Sequence, residues 1–142
     1  MTKQERKVRI QTLLETLSLK YTQIDDNETH KRFTVQQQDI HHIANNYRDV
    51  LESSNVYISK CNEIGVCDYE TTNYLIFCDS TGFVVTSNKQ DRYNNFNVYI
   101  EFGKVMEIEV IISCEVIISF HFKYPNCGDR NDQFTFRSDL LL

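Results

Sequence analysis

Residues 105–124 read VMEIEVIISCEVIISFHFKY. Every even position is apolar: Met106, Ile108, Val110, Ile112, Cys114, Val116, Ile118, Phe120, Phe122 and Tyr124. Seven odd positions are polar: Glu107, Glu109, Ser113, Glu115, Ser119, His121 and Lys123. A period of two marks a strand with one face buried and one face wet. The run is too long for a straight strand. At about 3.3 Å per residue it extends roughly 66 Å, whereas a compact domain of this length is about 35–40 Å across. The chain must coil strongly or turn partway. Unbroken parity excludes a two-residue loop and a single-residue bulge. A three-residue turn at Ser113-Cys114-Glu115 stays compatible, but the absence there of Gly, Asn and Pro favours one coiled strand.

The neighbouring segment Phe96–Phe102 has the same even parity, through Phe96, Val98, Ile100 and Phe102. A three-residue loop, Gly103-Lys104-Val105, would pair Phe102 with Met106 and keep both apolar sets together. It requires positive φ at Gly103 or Lys104 and sets Glu101 opposite Glu107. Further strands are expected at Val56–Lys60, Asn73–Cys78, Phe83–Ser87 and Gln133–Arg137, while Tyr21–Ile24 and Lys31–Val35 fit either two short strands around Asp25-Asp26-Asn27-Glu28 or a surface loop. Asp79-Ser80-Thr81-Gly82 reads as a hairpin loop.

The first third is helical in pattern. Thr2 with Glu5 forms a capping box, and Ile10, Leu13, Leu14, Leu17 and Tyr21 make one stripe, so a helix is expected over about 3–19. A second, over about 37–53, carries Ile40, Ile43, Ala44, Tyr47, Val50 and Leu51. Thr34 with Gln37, or Asp39, caps it. The expected architecture is a single α+β domain over 1–142. Two N-terminal helices pack on one face of a strongly curved, mainly antiparallel sheet of about five to six strands.

The chain has 142 residues and a formal charge of −5. Residues 1–32 hold seven Lys/Arg against five Asp/Glu, giving +2; residues 33–142 hold eight against fifteen, giving −7. That balance argues against direct nucleic-acid binding and allows a basic partner. Nothing resembles a secretory leader, and Glu107, Glu109 and Glu115 interrupt the longest apolar run, so no membrane span is expected. The five cysteines fit a reducing, cytoplasmic setting. One Ala, four Gly and one Pro beside many Ile, Asn and Tyr are the bias of an AT-rich genome. A phage is one such source, which would place the protein in the host cytoplasm.

Parity also nominates a surface. Glu101, Glu107, Glu109 and Glu115 share the odd face with Tyr99, Ile111 and Ile117, an acidic and partly apolar surface suited to protein contact. Like charges opposed across strands are unfavourable, so Glu101 facing Glu107 suggests a cationic counterpart. No catalytic constellation stands out. The cysteines lack the close pairing of a zinc site, and four scattered glycines supply no phosphate loop. Neither enzyme activity, cofactor nor metal is expected. The resulting expectation is a small non-enzymatic binding protein, an inhibitor or antagonist docking its acidic sheet face on a basic surface. Its target would be a nucleic-acid-handling protein, in the manner of an anti-CRISPR-like or immunity protein. A homodimer through a sheet edge or face is the oligomeric alternative.

The order of two helices followed by long antiparallel strands resembles the NTF2-like cone fold in architecture alone. That resemblance implies the competing reading, a pocket protein or small enzyme with a small molecule in a curved-sheet cavity. A gap lined by Phe120, Phe122 and Tyr124 would favour it.

Overall fold

A computed structural model of the chain describes Thr2, Glu5 and residues 30–62, 65–87, 96–113, 116–125 and 131–137. The diagnostic run is two strands, β7 (Glu107–Ser113) and β8 (Val116–Lys123), paired antiparallel. The expected single coiled strand is therefore corrected to a hairpin that reverses between Ser113 and Val116. Parity survives because the register pairs even with even, Ile108 with Phe122 and Val110 with Phe120. The length limit decides: seven residues reach only about 23 Å, which fits a compact domain.

Four more strands extend this hairpin into a six-stranded sheet, in which each neighbouring pair runs antiparallel. They are β1 (His30–Val35), β2 (Asn55–Asn62), β3 (Gly65–Thr71) and β9 (Asn131–Arg137), in the order β1-β7-β8-β9-β2-β3. Its inner face is set by aligned apolar pairs: Val35 with Ile108, Phe120 with Phe134, Ile118 with Phe136, and Val56 with Phe136. An irregularity between Val116 and Ile118 shifts the register against β9 by one, as a bulge does. β3 was not expected from the pattern, because Asp68, Tyr69 and Glu70 are all exposed at the sheet edge and leave no buried stripe.

The other strands form a second sheet, β4 (Tyr74–Cys78), β5 (Gly82–Ser87) and β6 (Asn97–Glu101), again antiparallel. The β4–β5 loop closes as expected. The Asp79 carboxylate accepts from Thr81 N at 2.8 Å, Thr81 Oγ1 at 2.6 Å and Gly82 N at 3.0 Å, an Asx turn. After β6 the expected hairpin is absent. Phe102–Lys104 make a 3-10 turn, with Val105 N donating to Phe102 O at 3.1 Å. Gly103 stays out of the left-handed region. The turn carries the chain from one sheet to the other, so β6 never pairs β7. Glu101 lies opposite Gly82 and Glu107 opposite Lys123, not opposite each other. Met106 falls before β7 and is 64% exposed, so its parity does not bury it.

The two sheets share one core. The Phe83 ring lies 5.5 Å from Phe120, 5.8 Å from Phe122 and 5.1 Å from Phe134, and all four side chains are fully buried. The inner face of the large sheet is thus covered by a second sheet, whose strand β4 carries the helices; this corrects the expected two-helix cover and raises the strand count. The arrangement is an open, sheet-rich α+β fold with nine strands and two helices among the described residues.

Those helices are α1 (Gln37–Asn46) and α2 (Arg48–Glu52), which split the expected 37–53 helix at Tyr47. Gln36 N donates to Asp39 Oδ2 at 2.8 Å, so Gln36 is the N-cap and Asp39 its reciprocal partner. Ile40, Ile43, Ala44, Val50 and Leu51 enter the core. The helices are tied to β4: the Tyr74 hydroxyl donates to Leu51 O, and Ile76 N donates to Glu52 Oε1 at 2.8 Å. Of the expected 3–19 helix, Glu5 N donates to Thr2 Oγ1 at 3.1 Å as its cap requires; the rest lies outside the described residues, as does the 20–29 segment.

Phe83 is the residue on which both sheets close. Phe83→Ala is expected to cost about 3–5 kcal/mol, read as a lowered midpoint in urea unfolding. Phe77→Ala, on an exposed face, is expected to cost far less.

Candidate functional site

The outer face of the six-stranded sheet is polar, as parity requires, but its charges are matched within the face. Glu109 is only 8% exposed. Lys123 Nζ reaches Glu109 Oε2 at 2.7 Å and Glu107 Oε2 at 3.6 Å, while Arg32 Nε from edge strand β1 sits 3.6 Å from Glu109 Oε1. Thr34 Oγ1 donates to Glu107 Oε1 at 3.4 Å. The hydrogen bond to Glu109 is the main cause that holds the Lys123 ammonium above its ordinary range. Two carboxylates and two cations form one network, so neither carboxylate is bare. Ile111 is half-buried on the same face. Glu115 and the side chain of Ile117 lie outside the described residues.

Beside this network, His121 faces Glu109 on β7 and Gln133 on β9. Its Nε2 lies 2.9 Å from Ser119 Oγ, which is 3.1 Å from Thr135 Oγ1. Ser, His and Glu side by side suggest a hydrolytic triad, but the geometry does not make one. The Glu109 oxygens are taken by cations, and Ser119 is buried in mid-sheet, where ladder bonding leaves no pair of backbone N–H groups for an oxyanion. Burial, its largest influence, pushes the imidazole below its ordinary pKa, although Glu109 opposes this. The folded state therefore prefers neutral His121. Its stability contribution is complete above about pH 6.5. Below that, the unfolded chain binds the proton first, and stability declines as pH falls toward the lowered folded value.

The outer face of the three-stranded sheet is different. Phe77, Val84 and Tyr99 lie directly across from one another on β4, β5 and β6. Phe77 is 48% and Tyr99 45% exposed. Tyr99 also covers Gly82: a Cβ there would stand 2.5 Å from the Tyr99 ring and 2.5 Å from Ile100 O. Glycine lets the aromatic ring lie flat on the backbone. At one end the Arg48 guanidinium stands 5.3 Å from the Phe77 ring centroid, a cation–π contact. Beyond the other end Glu101 pairs with Lys104 at 3.2 Å.

Both edges of this sheet are stopped by side chains. Glu52 takes the Ile76 N–H on the β4 edge, and Lys60 Nζ donates to Tyr99 O at 3.1 Å on the β6 edge. Strand addition is hindered there, and the face is the open surface. The nominated residues are thus divided between two faces: Tyr99 and Glu101 on the small sheet, Glu107, Glu109 and Ile111 on the large one. Phe77 and Val84 were missed. Tyr74–Cys78 is apolar at every position, so alternation could not say which residues face out.

The remaining chemistry is sparse. No group of three metal-ligating side chains occurs among the described residues. Cys78 is half-buried beside the core, and burial, with Asp79 nearby, pushes its thiol up to about 12, which disfavours the thiolate. Two open clefts of about 240 and 250 Å³ flank the start of α1, lined by Gln37, Gln38 and Phe102 among others. No helix among the described residues is long and apolar enough to cross a membrane.

Burial separates the carboxylates by consequence. Glu109→Gln leaves Lys123 and Arg32 without their shared anion and is expected to cost about 1–3 kcal/mol. Glu101→Gln, at an exposed pair, is expected to change stability by less than about 1 kcal/mol; chemical denaturation of both variants at neutral pH gives the comparison. In comparisons with known proteins, no family model, curated protein or solved structure matches the chain.

Proposed function

We propose that this chain is a non-enzymatic protein-binding module that docks the outer face of its three-stranded sheet on a basic surface of another protein. The observation that supports this most is the Phe77–Val84–Tyr99 row. Two aromatic rings stay about half exposed on strands whose edges are blocked, and contacts of this type dominate binding energy at interfaces. What supports a basic partner is the overall charge, −7 over residues 33–142; at the row itself Glu101 is paired with Lys104 and Arg48 sits on Phe77. Magnitude also matters. Three strands at about 4.8 Å and five residues at about 3.3 Å give a patch of roughly 14 by 17 Å, well under the ~800 Å² each partner of a stable complex buries. Charged groups at the rim must extend the contact, and binding should weaken with salt.

A target that handles nucleic acid suits this chemistry best, because its positive groove accepts carboxylates in place of phosphate. The protein would then act as an inhibitor or antagonist. The competing reading, a small molecule held in a curved-sheet cavity, needs a gap lined by Phe120 and Phe122. Both are fully buried against Phe83, which favours the docking reading.

The test is recovery of partner from a lysate of the cells that make the protein. Phe77→Ser with Tyr99→Ser should lose the partner by tenfold or more, on the order of 1.4 kcal/mol or above, with unfolding midpoint little changed. Glu107→Gln should retain it, and heparin should compete. Retention by the double serine variant would refute the proposal. Recovery of this chain alone would replace it with self-association.

A further inference from the structure

The cluster around His121 has no part in the proposed docking face, yet it joins three strands of the large sheet and reaches its edge. β1 is a terminal strand of that sheet; among the described residues only β7 pairs with it. Two side-chain ties reinforce the ladder, Arg32 to Glu109 at 3.6 Å and Thr34 to Glu107 at 3.4 Å, both longer than the tightest pair of the network. The Arg32 side chain is 53% exposed. Lys123, by contrast, holds Glu109 at 2.7 Å from the adjacent strand β8.

We propose that this cluster is an acid-sensitive clasp on β1, in which a proton taken by His121 displaces Arg32 from Glu109 and loosens His30–Val35 from β7. The groups facing His121 decide the direction. On its own strand are Ser119 and Lys123; on β7 are Glu109, directly opposite, and Glu107; on β9 are Gln133, directly opposite, and Thr135. Arg32 reaches in from β1. While His121 is neutral, two carboxylates balance two cations. The imidazolium adds a third positive charge on the residue directly across from Glu109, where it competes with Arg32 for that carboxylate. Protonated Nε2 then donates to Ser119 Oγ, and Ser119 turns its own hydroxyl to Thr135. Each charged or polar group inside the cluster keeps a partner. Arg32, the most exposed member, is the one water can take over at least cost.

The preference of the folded chain for neutral His121 sets the sign. The clasp is shut at neutral pH and opens below the ordinary histidine range. The consequence is local, because β8 and β9 remain packed on Phe83 while the edge strand frays.

Amide hydrogen exchange tests this on the full chain. Between about pH 7.5 and about pH 5.5, either side of the ordinary histidine pKa, and after correction for intrinsic rates, protection at residues 30–35 should fall about tenfold relative to residues 118–122, the effect of about one pH unit of coupling. In His121→Gln the ratio should stay flat. An unchanged ratio in the wild type, or an equal fall in the variant, overturns the proposal. Should the variant fail to fold, nitrogen-15 shifts in the wild-type chain serve. The Arg32 Nε–H signal must titrate with the same midpoint as the His121 ring, and an Arg32 signal that ignores that titration overturns it equally.

Discussion

Phe83 packing edge-on to Phe120 and Phe134, and stacked on Phe122, is the contact through which two separate sheets become one core. The helices add cover through β4, but among the described residues this ring cluster is where the two inner faces meet. The six-stranded sheet buries Val110, Ile118 and the three phenylalanines; the three-stranded sheet buries Ile76, Val85, Val98 and Ile100. Aromatic pairs at these separations add about 0.5–1.5 kcal/mol each beyond their area. Several centred on one ring make that contact far less replaceable than any single aliphatic pair. The 3-10 turn at Phe102–Lys104 follows from the same requirement: the chain must pass from one sheet to the other, not form a hairpin, and Phe102 itself stays in the core beside Phe122.

Once the inner faces are committed, function is left to the outer ones, and their chemistry diverges. The large sheet carries charge but satisfies it locally, through Arg32, Lys123 and the Glu107–Glu109 pair. A network of this kind orders the face and offers little unmatched charge to a partner. The small sheet carries less charge and more exposed ring. Its edges carry hydrogen bonds between strand backbone and the Glu52 and Lys60 side chains, and Phe77 and Tyr99 remain about half exposed on its face. In the reading proposed above, docking therefore moves from the carboxylate-bearing sheet to the aromatic one, which still includes Tyr99 and Glu101.

Alternation was legible wherever one face was wet. It marked the residues of β7, β8 and β6 as extended, and it gave the correct side for Glu107 and Glu109. It failed where neither or both faces are apolar. β3 has an exposed edge and no stripe; β4 is apolar throughout, which concealed Phe77. Parity was also silent on connection. A hairpin whose register pairs even with even looks, in sequence, like one uninterrupted strand, and chain length demanded a coil or a turn without choosing between them. The pairing of Glu109 with Arg32 was invisible for the same reason, since these residues are brought together by a β1–β7 register that no local pattern encodes.

The account stands on the aromatic row being the surface that meets a partner. Photo-crosslinking in the producing cells tests it most directly, with a benzophenone side chain placed in turn at Phe77, Tyr99, Ile111 and Gln133. Adducts to another protein from positions 77 and 99, and none from 111 and 133, are the result expected. Adducts from 111 or 133 with none from the aromatic row would place the contact on the charge-matched sheet and contradict the account.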